Sequence, residues 1–191
     1  VAKSQIISQK QTTSAANAVQ GELYSIGLWY EDSRLLDVEV YWCPIPSIKM
    51  YDAAGFFFHG TRFYDRFFGY EEGHIYVPSF LLIDIVYSRT FSLRDIIRHE
   101  YAHALAHYYP EMIVRPKEFK NVFGGTYYSV KPSKMEDEAY ITEYAKTDPS
   151  EDFAETFMVY VRRKGVIPTN MTNPKLKRKW KYISKIIKLV K

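Results

Sequence analysis

The chain has 191 residues, 47% of them hydrophobic and 25% charged, which suits one globular domain and excludes disorder over the whole length. A single cysteine, Cys43, excludes a disulfide scaffold, and no apolar run reaches the ~20 residues that a membrane helix needs. The net charge is +4, yet residues 165–191 carry eight Lys or Arg and no acid, leaving −4 on the rest, so the basic character is local to the C-terminus.

Residues 1–20 are rich in Gln, Ser, Thr and Ala and lack the charged start and apolar centre of a signal peptide. They read as a flexible tail or a loosely packed segment, such as a loosely held helix, ahead of one domain over residues 21–191. Along residues 35–42, Leu36, Val38, Val40 and Trp42 share one parity, with Asp37 and Glu39 on the other, which is strand periodicity. The prolines of Cys43-Pro44-Ile45-Pro46 end it. Phe56-Phe57-Phe58 and residues 74–77 read as two more strands around a Gly- and aromatic-rich loop, residues 60–73. Pro78 closes the later strand and favours an edge position, open to an extended peptide by strand addition.

Ser92, with Asp95 three residues on, opens a helix whose apolar residues Leu93, Ile96, Ile97, Ala104 and Leu105 keep helical spacing until Pro110 stops it. Residues 115–134 carry Gly124-Gly125 and two prolines and read as irregular. Asp148-Pro149 starts a second helix, to about Arg163, and Asn173-Pro174 a last one, to about Val190. The last is basic and amphipathic, with Leu176, Trp180, Ile183, Ile187 and Val190 on its apolar face. Strands come first and helices second, so the expected fold class is α+β.

Chemistry concentrates in His99-Glu100-Tyr101-Ala102-His103, an HExxH on the Ser92 helix. Residues four apart share a helix face, so both imidazoles can converge on one ion, and Glu100 sits beside the first as a general base toward a water there. Downstream, Glu151 and Glu155 share a face of the Asp148 helix. Glu151 supplies a third ligand, and Glu155, one turn on, can accept the outer N–H of a ligating imidazole. Glu151 also occupies the acidic position of a capping box begun by Asp148, the competing structural use of that residue. His107 continues the face of His99 and His103 and is a rim residue or an alternative ligand. His74 is a strand histidine satisfied locally or facing substrate, and His59 carries no signal.

This arrangement resembles the gluzincins, zinc metallopeptidases whose third ligand is a glutamate. More specifically, Tyr144, Glu151, Phe153, Ala154, Glu155 and Phe157 fill a pattern of the type Tyr-x6-Glu-x-Phe-Ala-Glu-x-Phe. That pattern is similar to one in the catalytic domain of anthrax lethal factor and in the secreted Pro-Pro endopeptidases. The resemblance implies a zincin-like fold with a small mixed sheet, an edge strand over the active site, the HExxH helix, the glutamate-ligand helix and the C-terminal basic helix. It implies Zn2+ held by His99, His103 and Glu151, and oxyanion stabilisation by Tyr144. It further implies a protein or peptide substrate bound extended, and a secreted or extracellular setting.

The expected activity is peptide-bond hydrolysis by a zinc-activated water with Glu100 as general base. Two alternatives stand beside it. One is a catalytically inactive zincin-fold binding protein. The other is contact with nucleic acid or an anionic membrane through the basic C-terminal helix, against the plainer use of that helix for docking.

Overall fold

The computed structural model describes residues 4–43, 56–57, 71–82, 92–131 and 135–191. Its first helix, α1 (Gln9–Ile26), lies largely within the stretch expected to be a loose tail. A capping box starts it: the Gln11 N–H donates to Ser8 Oγ at 3.3 Å, and the Ser8 N–H donates to Gln11 Oε1 at 2.8 Å. Gly27 ends it at φ 83°, a left-handed conformation free of Cβ strain only for glycine. The buried stripe is Thr12, Ala15, Ala16, Val19 and Leu23. Its small side chains give a weak hydrophobic period, which is why composition suggested a tail. Ahead of the helix, β1 (Ser4–Ile6) pairs antiparallel with β5 (Phe80–Leu82).

The strand expected over residues 35–42 is shorter. Ser33 Oγ accepts the Leu35 N–H and starts a 3-10 turn, Arg34–Asp37, and β2 is Val40–Cys43. It runs parallel to β4 (Ile75–Pro78), whose other side pairs antiparallel with β3 (Phe56–Phe57). The order is therefore β2-β4-β3, and the strand expected at an edge is central. Pro78 does not forbid this, because the Cys43 carbonyl accepts from the Ser79 N–H at 2.8 Å. All four residues of β4 are buried, so side chains of both parities are shielded and not only those of one face. The loop expected over residues 60–73 lies mostly outside the described residues, as does His59.

α2 (Leu93–Tyr108) begins at the expected Ser92–Asp95 capping box and is followed by the short α3 (Pro110–Ile113). α4 (Lys117–Phe123) falls where irregular chain was expected, with Phe119, Val122 and Phe123 buried. α5 (Pro149–Arg162) is capped by Asp148, whose side chain accepts from the Ser150 and Glu151 N–H groups. It packs extensively along α2, burying Phe153, Ala154, Phe157, Met158 and Val161. The larger of these, Phe153, Phe157, Met158 and Val161, contribute ~1.5–3 kcal/mol each when fully buried, and Phe153 also meets Phe119 and Phe123 of α4.

α6 (Pro174–Leu189) docks through Trp180, Tyr182, Ile183, Ile186 and Ile187, while Lys177, Arg178, Lys181, Lys185 and Lys188 stay exposed. Lys179 departs from the basic face. It is wholly buried, with Nζ 2.5 Å from Asp152 Oδ2, donating to the Ala139 carbonyl at 2.6 Å, and 4.6 Å from the Tyr140 ring centre.

Candidate metal centre

The HExxH segment lies mid-α2, where helical spacing sets His99 and His103 one turn apart on the face toward α5. Their Nε2 atoms stand 3.2 Å from each other. From the first turn of α5, Glu151 brings Oε2 to 3.0 Å from His99 Nε2 and Oε1 to 3.7 Å from His103 Nε2. Thus the Glu151 carboxylate turns to the histidines, while Asp148 alone supplies the side-chain cap of α5. These three residues form a group that could hold a metal ion.

The outer nitrogens are both engaged. His99 Nδ1 lies 2.7 Å from Glu155 Oε1, a carboxylate with no exposure, and His103 Nδ1 lies 2.9 Å from the Tyr127 hydroxyl. Thr142 Oγ1 donates to Glu155 Oε2 at 2.7 Å and accepts the Ala145 N–H at 3.1 Å. That ties the 3-10 turn Tyr144–Lys146 to the site.

The donor set suits a small divalent cation. With both Nδ1 protons directed outward, two imidazole lone pairs and a carboxylate face one another. Such groups repel unless a cation or a proton lies between them. Ligand atoms held tetrahedrally at ~2.0–2.1 Å from zinc stand about 3.4 Å apart, close to the separations here. Glu151 Oε2 is buried and makes no hydrogen bond of its own among the described residues. The field is strongly cation-seeking. Burial opposes charge on His99, but Glu151 and Glu155 outweigh it and hold the imidazole well above its ordinary value. Burial would raise the Glu151 carboxyl, yet His103 and His99 hold it well below the carboxylate range.

Glu100 is buried beside His99. The Tyr144 ring centre is 5.8 Å from that of His99. Burial, and then the negative Glu151 and Glu100, push the Tyr144 hydroxyl far above the ordinary phenol value, so it remains a hydrogen-bond donor at neutral pH. His107 stands apart from the three-residue group, with Nε2 3.8 Å from Glu72 Oε1. His74 accepts the Glu39 N–H at Nδ1, 3.1 Å away, the locally satisfied arrangement. Sequence reasoning missed Tyr127 and Thr142. The Tyr127–His103 pair is 24 residues apart and follows no periodicity; Thr142 lies two residues before Tyr144, and no motif marks it.

A family model described as "Putative zinc-binding metallo-peptidase" matches residues 76–182, which span β4 to α6 and contain every residue of this centre. No curated protein and no solved structure matches the chain. These comparisons give no support to the expected likeness to lethal factor and the Pro-Pro endopeptidases.

Proposed function

The chain belongs to this zinc-binding metallopeptidase family, whose model spans more than half of it, and we propose that it is a zinc-dependent endopeptidase of gluzincin type. One observation carries the reading: His99, His103 and Glu151 converge while the outer nitrogen of each histidine already has a partner. In this reading those three residues hold the ion. Bound zinc supplies Lewis-acid polarisation of a carbonyl and acidification of water.

The remaining chemistry falls to the side chains. Glu100 takes a proton from the attacking water and passes it to the leaving amine nitrogen as the C–N bond breaks. Tyr144 donates its hydroxyl hydrogen toward the carbonyl oxygen, where negative charge builds in the transition state. Glu155 holds His99 in the Nδ1–H form that keeps Nε2 available, with Thr142 steadying the carboxylate. The Tyr-x6-Glu pattern supports the roles of Tyr144 and Glu151 by resemblance. Peptides are the substrate class, bound extended so that one carbonyl is presented at a time.

The test is elemental analysis of wild type, Glu151→Ala and Glu155→Ala, with peptide-library hydrolysis by wild type and Glu100→Gln. The reading expects near-stoichiometric zinc that falls mainly in Glu151→Ala, and cleavage that disappears in Glu100→Gln with zinc retained. A wild type that takes up no zinc sinks it. Undiminished cleavage in Glu100→Gln removes the general base.

A further inference from the structure

The two histidines of the centre are supported by different chemistry. His99 Nδ1 meets the Glu155 carboxylate, whereas His103 Nδ1 meets the Tyr127 phenol. We infer that Tyr127 is the positioning residue for His103: its oxygen accepts the Nδ1 proton and fixes the tautomer that leaves Nε2 for the metal. The inference rests on the reading of the cluster as a metal centre.

The geometry on both sides of His103 carries it. Nε2 faces His99 Nε2 at 3.2 Å and Glu151 Oε1 at 3.7 Å, so its useful form has the proton on Nδ1. Tyr127 Oη is 2.9 Å from that nitrogen. Tyr127 is 4% exposed, and its ring packs against Phe119 of α4 at 5.5 Å and Phe153 of α5 at 6.3 Å. The hydroxyl is therefore held in place by the helix that also carries Glu151. Two residues earlier, Gly125 approaches Pro149 so closely that a Cβ would lie 2.7 Å from its ring. The loop bearing Tyr127 thus presses on the first turn of α5.

Charge explains why a phenol suits this position. Glu100, Glu151 and Glu155 already bring three carboxylates to the neighbourhood of one dication. Together they already exceed the charge of the dication by one, and a fourth would deepen that excess in a buried site. A phenol oxygen accepts the imidazole proton without adding charge, so His103 is oriented without a further carboxylate.

The experiment uses the full chain and Tyr127→Phe, which keeps the ring and deletes the hydroxyl. Zinc affinity is read by competition with a chromogenic chelator, and unfolding of the metal-stripped proteins is followed by circular dichroism. The expected result is roughly 10–100-fold weaker zinc binding, with the metal-free melting temperature within a few degrees of wild type. In zinc-loaded wild type, 15N-histidine NMR should show His103 as the Nδ1–H tautomer with that proton slow to exchange.

Wild-type zinc affinity in Tyr127→Phe overturns the inference and leaves the metal centre standing. No zinc uptake by the wild type overturns both. Should Tyr127→Phe fail to fold, the NMR signal decides: a His103 Nδ1 proton exchanging as fast as an exposed imidazole overturns the inference.

Discussion

Replacing Lys179 by methionine keeps the length of the side chain and removes its charge. In the native protein Lys179 and Asp152 are both wholly buried, with Nζ 2.5 Å from Oδ2. Removing one member leaves the other as an uncompensated charge in the core, which costs about 3–5 kcal/mol. No discount for solvent screening applies, since neither side chain is exposed. In a chain this size that corresponds to a fall in melting temperature of roughly 6–20 °C. The deficit also depends on pH. Burial pushes the Asp152 carboxyl up to about 7 even with Lys179 opposing it, and the substitution pushes it further. A folded-state value above the unfolded one means stability is lost as pH rises through the folded value. Wild type and variant lose stability alike up to about pH 7, where the native carboxyl is ionised; above that only the variant goes on losing, so the gap widens from about pH 7 upward and is larger at pH 8.5 than at pH 5. The assay is urea unfolding of metal-stripped protein at those two pH values, so that zinc binding does not contribute. Adding Asp152→Asn to Lys179→Met removes the stranded charge and should recover most of the loss. A single variant within ~1 kcal/mol of wild type at pH 8.5, or a double variant no better than the single, refutes the reasoning.

Tyr144→Phe should keep zinc and fold and lose about 100-fold in kcat, the scale of one oxyanion donor; steady-state kinetics on any cleaved peptide checks it, and unchanged kcat removes Tyr144 from the reaction. Arg98→Lys should destabilise the protein by ~1–3 kcal/mol, because lysine cannot reproduce the two bonds to Glu22 at 2.6 and 2.7 Å together with the one to Asp95. Urea unfolding reads it, and a change under ~0.5 kcal/mol counts against the bidentate pair. Burial raises the Cys43 thiol to about 11, so at pH 7.5 its thiolate fraction is roughly 300-fold below that of a free cysteine. It should react with a thiol reagent only on unfolding, and an immediate stoichiometric reaction of the native protein contradicts that burial.

What the sequence made legible follows from the range of each interaction. Helix starts at Ser92, Asp148 and Asn173 were readable because a cap and its partner lie within three residues. The convergence of His99, His103 and Glu151 is legible because two of them share a helical period and the third falls in a known pattern. Failures occurred where the deciding contact is remote. Helix α1 owes its place to packing and to Glu22 and Gln20 reaching α2, some 80 residues on. Strand β4 was expected at an edge because Pro78 was weighed without the partner that makes its missing N–H irrelevant. Lys179 was counted with the basic face, since charge type alone gives no sign of a buried counter-ion on another helix.

These remote contacts explain how the centre is held rigid. Both helices that carry the His99, His103 and Glu151 group have an ion pair one residue away from a member of it. On α2, Arg98 precedes His99 and is clamped by Glu22 of α1. On α5, Asp152 follows Glu151 and is clamped by Lys179 of α6. Neighbouring residues on a helix point about 100° apart, so each clamp faces away from the group while opposing rotation of its helix. Rotation matters most here. A ligand atom some 6–8 Å from the helix axis moves about 1 Å for every 8–10° of turn, enough to spoil coordination distances that tolerate only ~0.2 Å. Among the described residues, α1 and α6 supply none of the three clustered side chains, and α1 lies wholly before the segment matched by the family model. Each packs against one of the two helices that carry the group, α1 on α2 and α6 on α5.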